Sequence, residues 1–231
     1  MGFALLVALQ LAVVAPEKVC SEADVTLAAQ AQQLLLRGDD LAARDLLNAS
    51  LAIEACDLLR LATMALQGWF EARALAPVGG AAELLGPVQR TLGELETFRQ
   101  SDITLEAEYA EAAIRAAIAA AQDERPEMEL LLTHARDLSE RLQLRGRHAV
   151  WPRRLNLLAG ELWFEVDRFD DARAAYERAV RAEPSAAALV GLARTLARIG
   201  QQAAACSTYR RVTDAAPALR AAAATDLARC R

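Results

Sequence analysis

The sequence predicts an all-α fold in which antiparallel helical hairpins stack one on the next as an α-solenoid. Ala, Leu and Arg dominate the 231 residues, and aromatic residues make up only 5%. Ala and Leu are the best helix formers, whereas strands are richer in Val, Ile, Thr and aromatic residues. Small and large residues also recur at a spacing of 33 residues in the C-terminal third, and such a period is typical of helical repeats. We therefore expect about ten or eleven helices and essentially no strand.

The overall composition is that of a folded chain with an acidic balance. Hydrophobic residues make up 54% and charged residues 25%, which allows a packed core and argues against long disorder. The net charge is −5, whereas nucleic-acid binders usually carry a basic surface. We therefore expect no nucleic-acid partner.

Residues 1–19 are predicted to be a signal peptide or another N-terminal leader. Phe3 to Ala15 form an apolar run that only Gln10 interrupts. The run is too short for a bilayer core, which takes about 20 residues, but it matches the apolar centre of a signal peptide, with Val13-Val14-Ala15 as a cleavage site. We expect an exported protein, periplasmic or on the cell surface, that meets a membrane only through a partner. The alternatives to a leader are a mis-assigned start or a buried N-terminal helix, and the alternative location is the cytoplasm.

The clearest repeat unit starts at Arg153. Small and large residues fall at regular places in it: Gly160, Trp163, Ala172, Tyr176, Ala179 and Pro184. The corresponding places 33 residues further on hold Ala193, Leu196, Ala205, Tyr209, Val212 and Pro217. The small residues allow two antiparallel helices to approach closely, and the large ones fill the space beside them. Pro184 ends the second helix because it cannot continue the hydrogen-bond ladder.

In this pattern, residues 153–218 resemble the tetratricopeptide repeat family. The resemblance implies two stacked hairpins of a right-handed α-solenoid, followed by a capping helix from Leu219 to Cys230, so that residues 145–231 form one repeat region. A weaker match covers residues 24–57, where the same spacing is followed by Leu27, Ala31, Leu34, Gly38, Ala43 and Leu47.

Residues 20–144 as a whole are predicted to be a degenerate helical-repeat segment. Pro77 to Gly80 break the helical pattern. A long helix is expected after Ser101-Asp102, as far as about Gln122, and Pro126 suits the first turn of the helix that follows. The stretch 145–152 is predicted to be a linker.

No arrangement of residues indicates catalysis. His134 and His148 lie outside any His-Glu-x-x-His pattern, which a zinc protease would require. His134 and Asp137 share a helix face, but two ligands do not make a metal site. Paired carboxylates such as Asp170-Asp171 lie at helix starts, where the helix dipole favours negative charge. We therefore expect no enzyme activity, no cofactor, no metal and no small-molecule substrate.

The places of the four cysteines in the repeats predict two disulfides. Cys20 precedes the first helix of the N-terminal unit and Cys56 follows its second helix, so both lie at the same end of a hairpin. Cys206 opens the second helix of the last unit, and Cys230 closes the following antiparallel helix. With an oxidising compartment indicated by the leader, we expect the bridges Cys20–Cys56 and Cys206–Cys230. The alternative is four small buried thiols.

A basic cluster lies between the middle segment and the C-terminal repeats. Its members are Arg141, Arg145, Arg147, His148, Arg153 and Arg154. It either holds an acidic peptide or a phosphate, or it is a solvated linker.

Tetratricopeptide arrays usually bind extended peptides on the concave face formed by the first helix of each unit. The resemblance places on this face Arg154, Leu157, Leu158, Glu161, Phe164, Glu165, Val190, Arg194 and Arg198. Some family members clamp a C-terminal carboxylate with Lys and Asn, but here Leu157 and Glu161 occupy those places. The alternative is that these residues contact the neighbouring helical segment.

The sequence therefore predicts a non-catalytic scaffold that binds a protein or peptide partner in a concave helical groove. The alternative is a structural accessory subunit of a larger envelope or membrane-associated assembly. A large apolar patch outside the groove would favour that alternative.

Overall fold

The computed structural model describes residues 20–51, 56–76 and 85–230. These residues form eleven α-helices and no strand, which confirms the predicted all-helical class. The predicted leader, 1–19, and the predicted break, 77–80, lie outside the described residues. The helices are α1 (Glu22–Leu36), α2 (Asp40–Leu51), α3 (Asp57–Arg73), α4 (Gly86–Leu95), α5 (Thr104–Ala121), α6 (Arg125–Leu144), α7 (Leu155–Glu165), α8 (Phe169–Ala182), α9 (Ala186–Arg198), α10 (Gln202–Arg210) and α11 (Pro217–Ala228), and a 3-10 helix (Glu96–Gln100) follows α4.

Local signals in the sequence set several helix starts. Ser21 and Asp24 form a capping box at α1: the Ser21 hydroxyl accepts from the Asp24 amide at 3.2 Å, and the Asp24 carboxylate accepts from the Ser21 amide at 2.8 Å. The Ser185 hydroxyl caps α9 in the same position. Pro126 and Pro217 stand in the first turns of α6 and α11, where the missing N–H removes no helical hydrogen bond.

Four helical hairpins share one type of turn. After the first helix of α1–α2, α5–α6, α7–α8 and α9–α10 comes one residue with φ between 57° and 79°: Gly38, Asp123, Asp167 and Gly200. The next amide then donates back to the carbonyl five residues earlier, as from Arg168 to Trp163 at 2.9 Å. This is the Schellman ending of a helix. The hairpin α5–α6 is thus built like the C-terminal ones, and its turn residue is an aspartate, as in α7–α8.

Over residues 153–218, α7 packs against α8, α9 packs against α10, and α8 also packs against α9. Tyr176 lies at the centre of this packing, with only 4% of its surface exposed. A Cβ added at Gly160 would stand 2.7 Å from the Tyr176 ring, and one added at Gly191 would stand 2.3 Å from it. Both glycines are therefore needed for the helices to close around the ring.

The N-terminal hairpin also packs against the C-terminal repeats. Helix α1 contacts α9, and the Arg37 carbonyl accepts a hydrogen bond from the Ala216 amide at 2.8 Å. The Arg37 guanidinium lies 3.3 Å from the Asp214 carboxylate. A Cβ added at Gly38 would stand 2.3 Å from the Leu219 side chain. The turn after α1 therefore packs against the start of α11.

A buried arginine joins several helices at the centre of the molecule. Arg153 is 4% exposed and forms ion pairs with Asp40 of α2 and, at 3.4 Å, with Glu161 of α7. Its carbonyl accepts a 2.7 Å hydrogen bond from the Tyr109 hydroxyl of α5. Burial alone lowers the pKa of Arg153, but Glu161 and Asp40 outweigh it and the pKa is raised. Arg153 is therefore charged and holds the N-terminal hairpin to the repeats.

The cysteines pair as the sequence predicts. Cys20 is bonded to Cys56 with a Cα–Cα distance of 5.0 Å, and Cys206 is bonded to Cys230 with a Cα–Cα distance of 5.7 Å. Two disulfides indicate an oxidising, exported environment. Within the described ranges, no helix combines the length and the apolar character needed to cross a membrane.

Candidate functional site

A groove of about 600 Å³ lies at the C-terminal end of the chain, between α7 and α11. The end of α7 and the helices α9, α10 and α11 form its walls. We call it the C-terminal groove; its lining includes Phe164, Val190, Arg194, Arg198, Tyr209, Leu219, Asp226 and Arg229. A volume of this size falls within the range typical of ligand pockets.

Helix α9 forms one wall of the groove. Val190, Arg194 and Arg198 are spaced by four residues and therefore lie on one face, one turn apart. Val190 is buried, at 3% exposure, whereas both arginines are exposed. The same face thus presents two exposed guanidinium groups, whereas Val190 packs inside the fold against Tyr209 and Ala223.

The two arginines of α9 stack on neighbouring phenylalanines. The Arg194 guanidinium lies over the Phe164 ring at 5.2 Å, and the Arg198 guanidinium lies over the Phe169 ring at 4.9 Å. The two rings meet edge to face, with their centroids 5.4 Å apart. Cation–π contacts of this kind hold an arginine in place while its N–H edge stays open to a ligand.

Helix α11 forms the opposite wall. The Tyr209 hydroxyl of α10 donates to the Asp226 carboxylate at 2.7 Å, and Arg229 lies 3.4 Å from the same carboxylate. Burial, followed by the hydrogen bond to Asp226, raises the pKa of Tyr209, so its hydroxyl stays a donor. The Cys206–Cys230 bridge ties α10 to the residue that follows this wall.

The C-terminal segment that contains the groove has a positive net charge, whereas the net charge of the whole chain is negative. Residues 186–231 contain seven arginines and two acidic residues, a net charge of +5, whereas the full chain has a net charge of −5. Three arginines and one aspartate line the groove. A positive field over a concave surface attracts anionic ligands.

The structure corrects the predicted groove along α7. Leu157 is 5% exposed and Leu158 is fully buried, so neither can meet a partner. Glu161 and Glu165 both pair with Arg73 of α3, which covers this part of the helix. For these four residues the alternative interpretation, contact with the neighbouring segment, is the correct one. The groove begins only at the last turn of α7, where Phe164 lines it.

Arg154 also lies outside the C-terminal groove. It pairs with Glu183 at 3.1 Å and lines a separate cavity of about 160 Å³ together with His148. Arg147 lies 3.2 Å from Glu106. Together with the buried Arg153, these arginines of the predicted basic cluster serve contacts within the fold.

Several groove residues were not predicted from the sequence, because the predicted face comprised only the first helices of the repeat units. Tyr209 belongs to α10, Leu219 and Asp226 belong to α11, and Arg229 is the residue that follows α11. The spacing of the last three would have revealed them. Steps of seven and three residues place them on one side of the helix and its C-cap.

In the part of the chain that the structure describes, no group of three or more His, Cys, Asp or Glu side chains is placed to hold a metal ion.

Comparison of the chain with family models, with curated proteins and with solved structures gives no match.

Proposed function

We propose that this protein is a non-catalytic interaction scaffold that holds a peptide segment of a partner protein in the C-terminal groove. The observation that carries the proposal is Arg194, an exposed guanidinium stacked on Phe164 in the lining of the groove. Arginines next to aromatic rings in partly desolvated pockets are enriched among the residues that dominate binding energy. The other charged groups of the groove support its walls, since Asp226 holds Tyr209 and Arg229.

We infer that residues 153–218 are two tetratricopeptide-like repeats of a right-handed solenoid and that the groove lies on its concave side. The 33-residue spacing supports this, as does the shared turn at Asp167 and Gly200. The packing of the Tyr176 ring against Gly160 follows from the small and large residues of the repeat pattern. In such an array the first helices line the concave surface, and α7 and α9 are the first helices here.

The proposed site of action is the periplasm or the cell surface, with any membrane association made through the partner. The two disulfides support an exported location. The alternative, an accessory subunit, would be favoured by a large exposed apolar patch. The large apolar side chains exposed in the described part of the chain are Val25, Leu41, Leu130 and Leu144. They are spread over α1, α2 and α6, and we therefore favour the groove.

Capture of the native partner tests the proposal. The double variant Phe164→Ala/Arg194→Ala is expected to lose capture of partners that the wild-type chain retains from native extracts. The matched control is Leu130→Ala/Arg181→Ala, which removes one exposed apolar side chain and one exposed arginine outside the groove. Circular dichroism should show the same helical signal for all three proteins. Equal capture by the groove variant and the wild type would place the binding surface elsewhere.

A further inference from the structure

We propose that the C-terminal groove selects an extended acidic segment with carboxylates two residues apart, followed at the same spacing by an apolar residue. The segment would read acid-x-acid-x-apolar along one chain direction or the other. This inference rests on the proposed function and names the chemistry of the partner. Three features of the groove lead to it: the exposed guanidinium of Arg194, the spacing along α9, and the apolar end.

Arg194 provides the strongest contact for an anion. Its guanidinium carbon lies 5.2 Å from the centroid of the Phe164 ring, and the side chain is exposed to solvent. Among the described residues it forms no ion pair. A planar fork of N–H donors that is already held in place matches a carboxylate with two parallel hydrogen bonds. An Asp or Glu of the ligand can therefore bind Arg194 without first displacing a carboxylate of the protein.

Arg198 is the second donor, one turn further along α9. Its pair with Asp167 is loose, at 3.5 Å, with side-chain exposures of 59% and 71%. Exposed pairs of this kind contribute little to stability, so a peptide carboxylate can replace Asp167 at small cost. The guanidinium itself stays stacked on Phe169 during the exchange.

The spacing of these groups fits an extended chain. Four residues of α-helix rise about 6 Å, so Val190, Arg194 and Arg198 follow each other at that distance along α9. Side chains on one side of an extended peptide recur about every 6.6 Å. The mismatch of roughly 0.6 Å per step is small against the reach of an arginine side chain. Two alternate peptide side chains can therefore meet the two arginines, and a third at the same spacing reaches the end of the groove that Leu219 lines.

The apolar end of the groove favours a peptide over a uniform polyanion. Leu219, half-buried, lines this end from α11 and is the apolar side chain that a ligand can contact. It packs against the cluster that contains the buried Val190. A polysaccharide or a lipid headgroup would present charge or hydroxyls to this surface and leave it without an apolar partner. A peptide can place a Leu or Phe there while its acids lie on Arg194 and Arg198.

Fluorescence anisotropy with defined peptides tests the inference on the full disulfide-bonded protein. The probe is a fluorescein-labelled peptide Ser-Asp-Ser-Asp-Ser-Leu-Ser. We expect it to bind with an affinity that falls as salt is raised. Its Asn-for-Asp counterpart should bind about ten- to a hundredfold more weakly, because charge-assisted hydrogen bonds are lost. A peptide of the same composition with adjacent Asp residues should also bind more weakly than the probe.

Protein variants locate the contact. Arg194→Ala should lower the affinity for the probe by about tenfold or more. Arg194→Lys should recover only part of that affinity, since lysine keeps the positive charge but lacks the planar pair of N–H donors. Arg181→Ala, an exposed arginine on α8, should leave the affinity unchanged.

Three outcomes would overturn the inference: equal binding of the Asn and Asp peptides, equal binding of the adjacent and spaced acids, or an Arg194→Ala variant with wild-type affinity. Heparin or vesicles of equal parts phosphatidylcholine and phosphatidylglycerol serve as competing anions. If these bind through Arg194 and no peptide does, the inference is wrong. Groove-dependent capture of a protein partner without binding of the acidic probe would refute the inference alone. Loss of both would refute the proposed function as well.

Discussion

Replacing Arg153 with alanine is expected to destabilise the fold more than the loss of any surface arginine. Its side chain is 4% exposed and lies between Asp40 of the N-terminal hairpin and Glu161 of the first C-terminal repeat. Alanine removes the positive charge but leaves both carboxylates in place. An uncompensated buried charge is the costly part of such a change, because the carboxylates lose their partner without regaining full hydration.

The expected magnitude follows from the exposure of the partners. Breaking a buried ion pair by removing one member costs about 3–5 kcal/mol, whereas exposed pairs contribute about 0–1 kcal/mol. The Asp40 and Glu161 side chains are 32% and 19% exposed, so water screens them in part. We therefore expect the loss to lie near the lower limit, at about 3 kcal/mol.

Urea unfolding at neutral pH, followed by circular dichroism, measures this loss. The control is Arg173→Ala, whose partners Asp170 and Glu177 lie at 3.7 and 4.0 Å on the same helix. Its midpoint should change little. The reasoning is refuted if the two variants lose the same stability.

A second variant separates charge from packing. Combining Arg153→Met with Asp40→Asn and Glu161→Gln removes all three charges while keeping most of the volume. It should recover much of the stability lost in Arg153→Ala, since neutral replacements of buried charge networks are often tolerated. A triple variant that is no more stable than Arg153→Ala would show that the charges are not the cause.

Two further predictions concern the bridge at the groove and an acid with a raised pKa. Replacing Cys206 and Cys230 with alanine opens a loop with a sequence separation of 24. In the chain-entropy model this lowers the free energy of unfolding by about 3.4 kcal/mol, and thermal unfolding measures the loss. Free thiols at these positions in protein purified without reductant would contradict the bridge. Burial raises the pKa of Glu165 against the opposing effect of Arg73, so the folded state holds this proton more tightly than the unfolded state. Its contribution to stability therefore falls as pH rises above about 4.3, and Glu165→Gln should gain stability relative to wild type between pH 4 and pH 7. Parallel stability profiles over that range would exclude the effect.

The hairpins of residues 153–218 could be predicted because their packing is local. Gly160 and Tyr176 lie in consecutive helices, and their spacing recurs 33 residues later. The matching hairpin α5–α6 was not predicted as a repeat. Its turn residue does not explain this, because Asp123 there and Asp167 in the clearest predicted unit take the same left-handed position.

The face of α7 was assigned wrongly because the helix is apolar on several sides. Leu155, Leu158 and Leu162 share one face, at steps of three and four residues, whereas Leu157 and Phe164 lie on the opposite side of the helix. Leu157, Leu158 and Leu162 are buried. A helix that is hydrophobic all round is usually covered on all sides, and this signal was present in the sequence. The partner that covers α7 could not be read in the same way, because Arg73 and Asp40 are distant in sequence and meet it only in the folded chain.

The packing of the first hairpin, α1–α2, against α11 helps to fix one wall of the C-terminal groove. None of the residues of α1 line it, yet the turn at Gly38 packs against Leu219, and the Arg37 carbonyl holds the Ala216 amide at the start of α11. At the other end, the Cys206–Cys230 bridge fixes α11 to α10. The wall of the groove is therefore held at both ends before any ligand arrives, whereas the arginines of α9 that would meet the ligand stay exposed. A binding surface whose backbone is already ordered loses less conformational entropy on association. The N-terminal hairpin thus supports binding through the wall it fixes and not through a contact of its own.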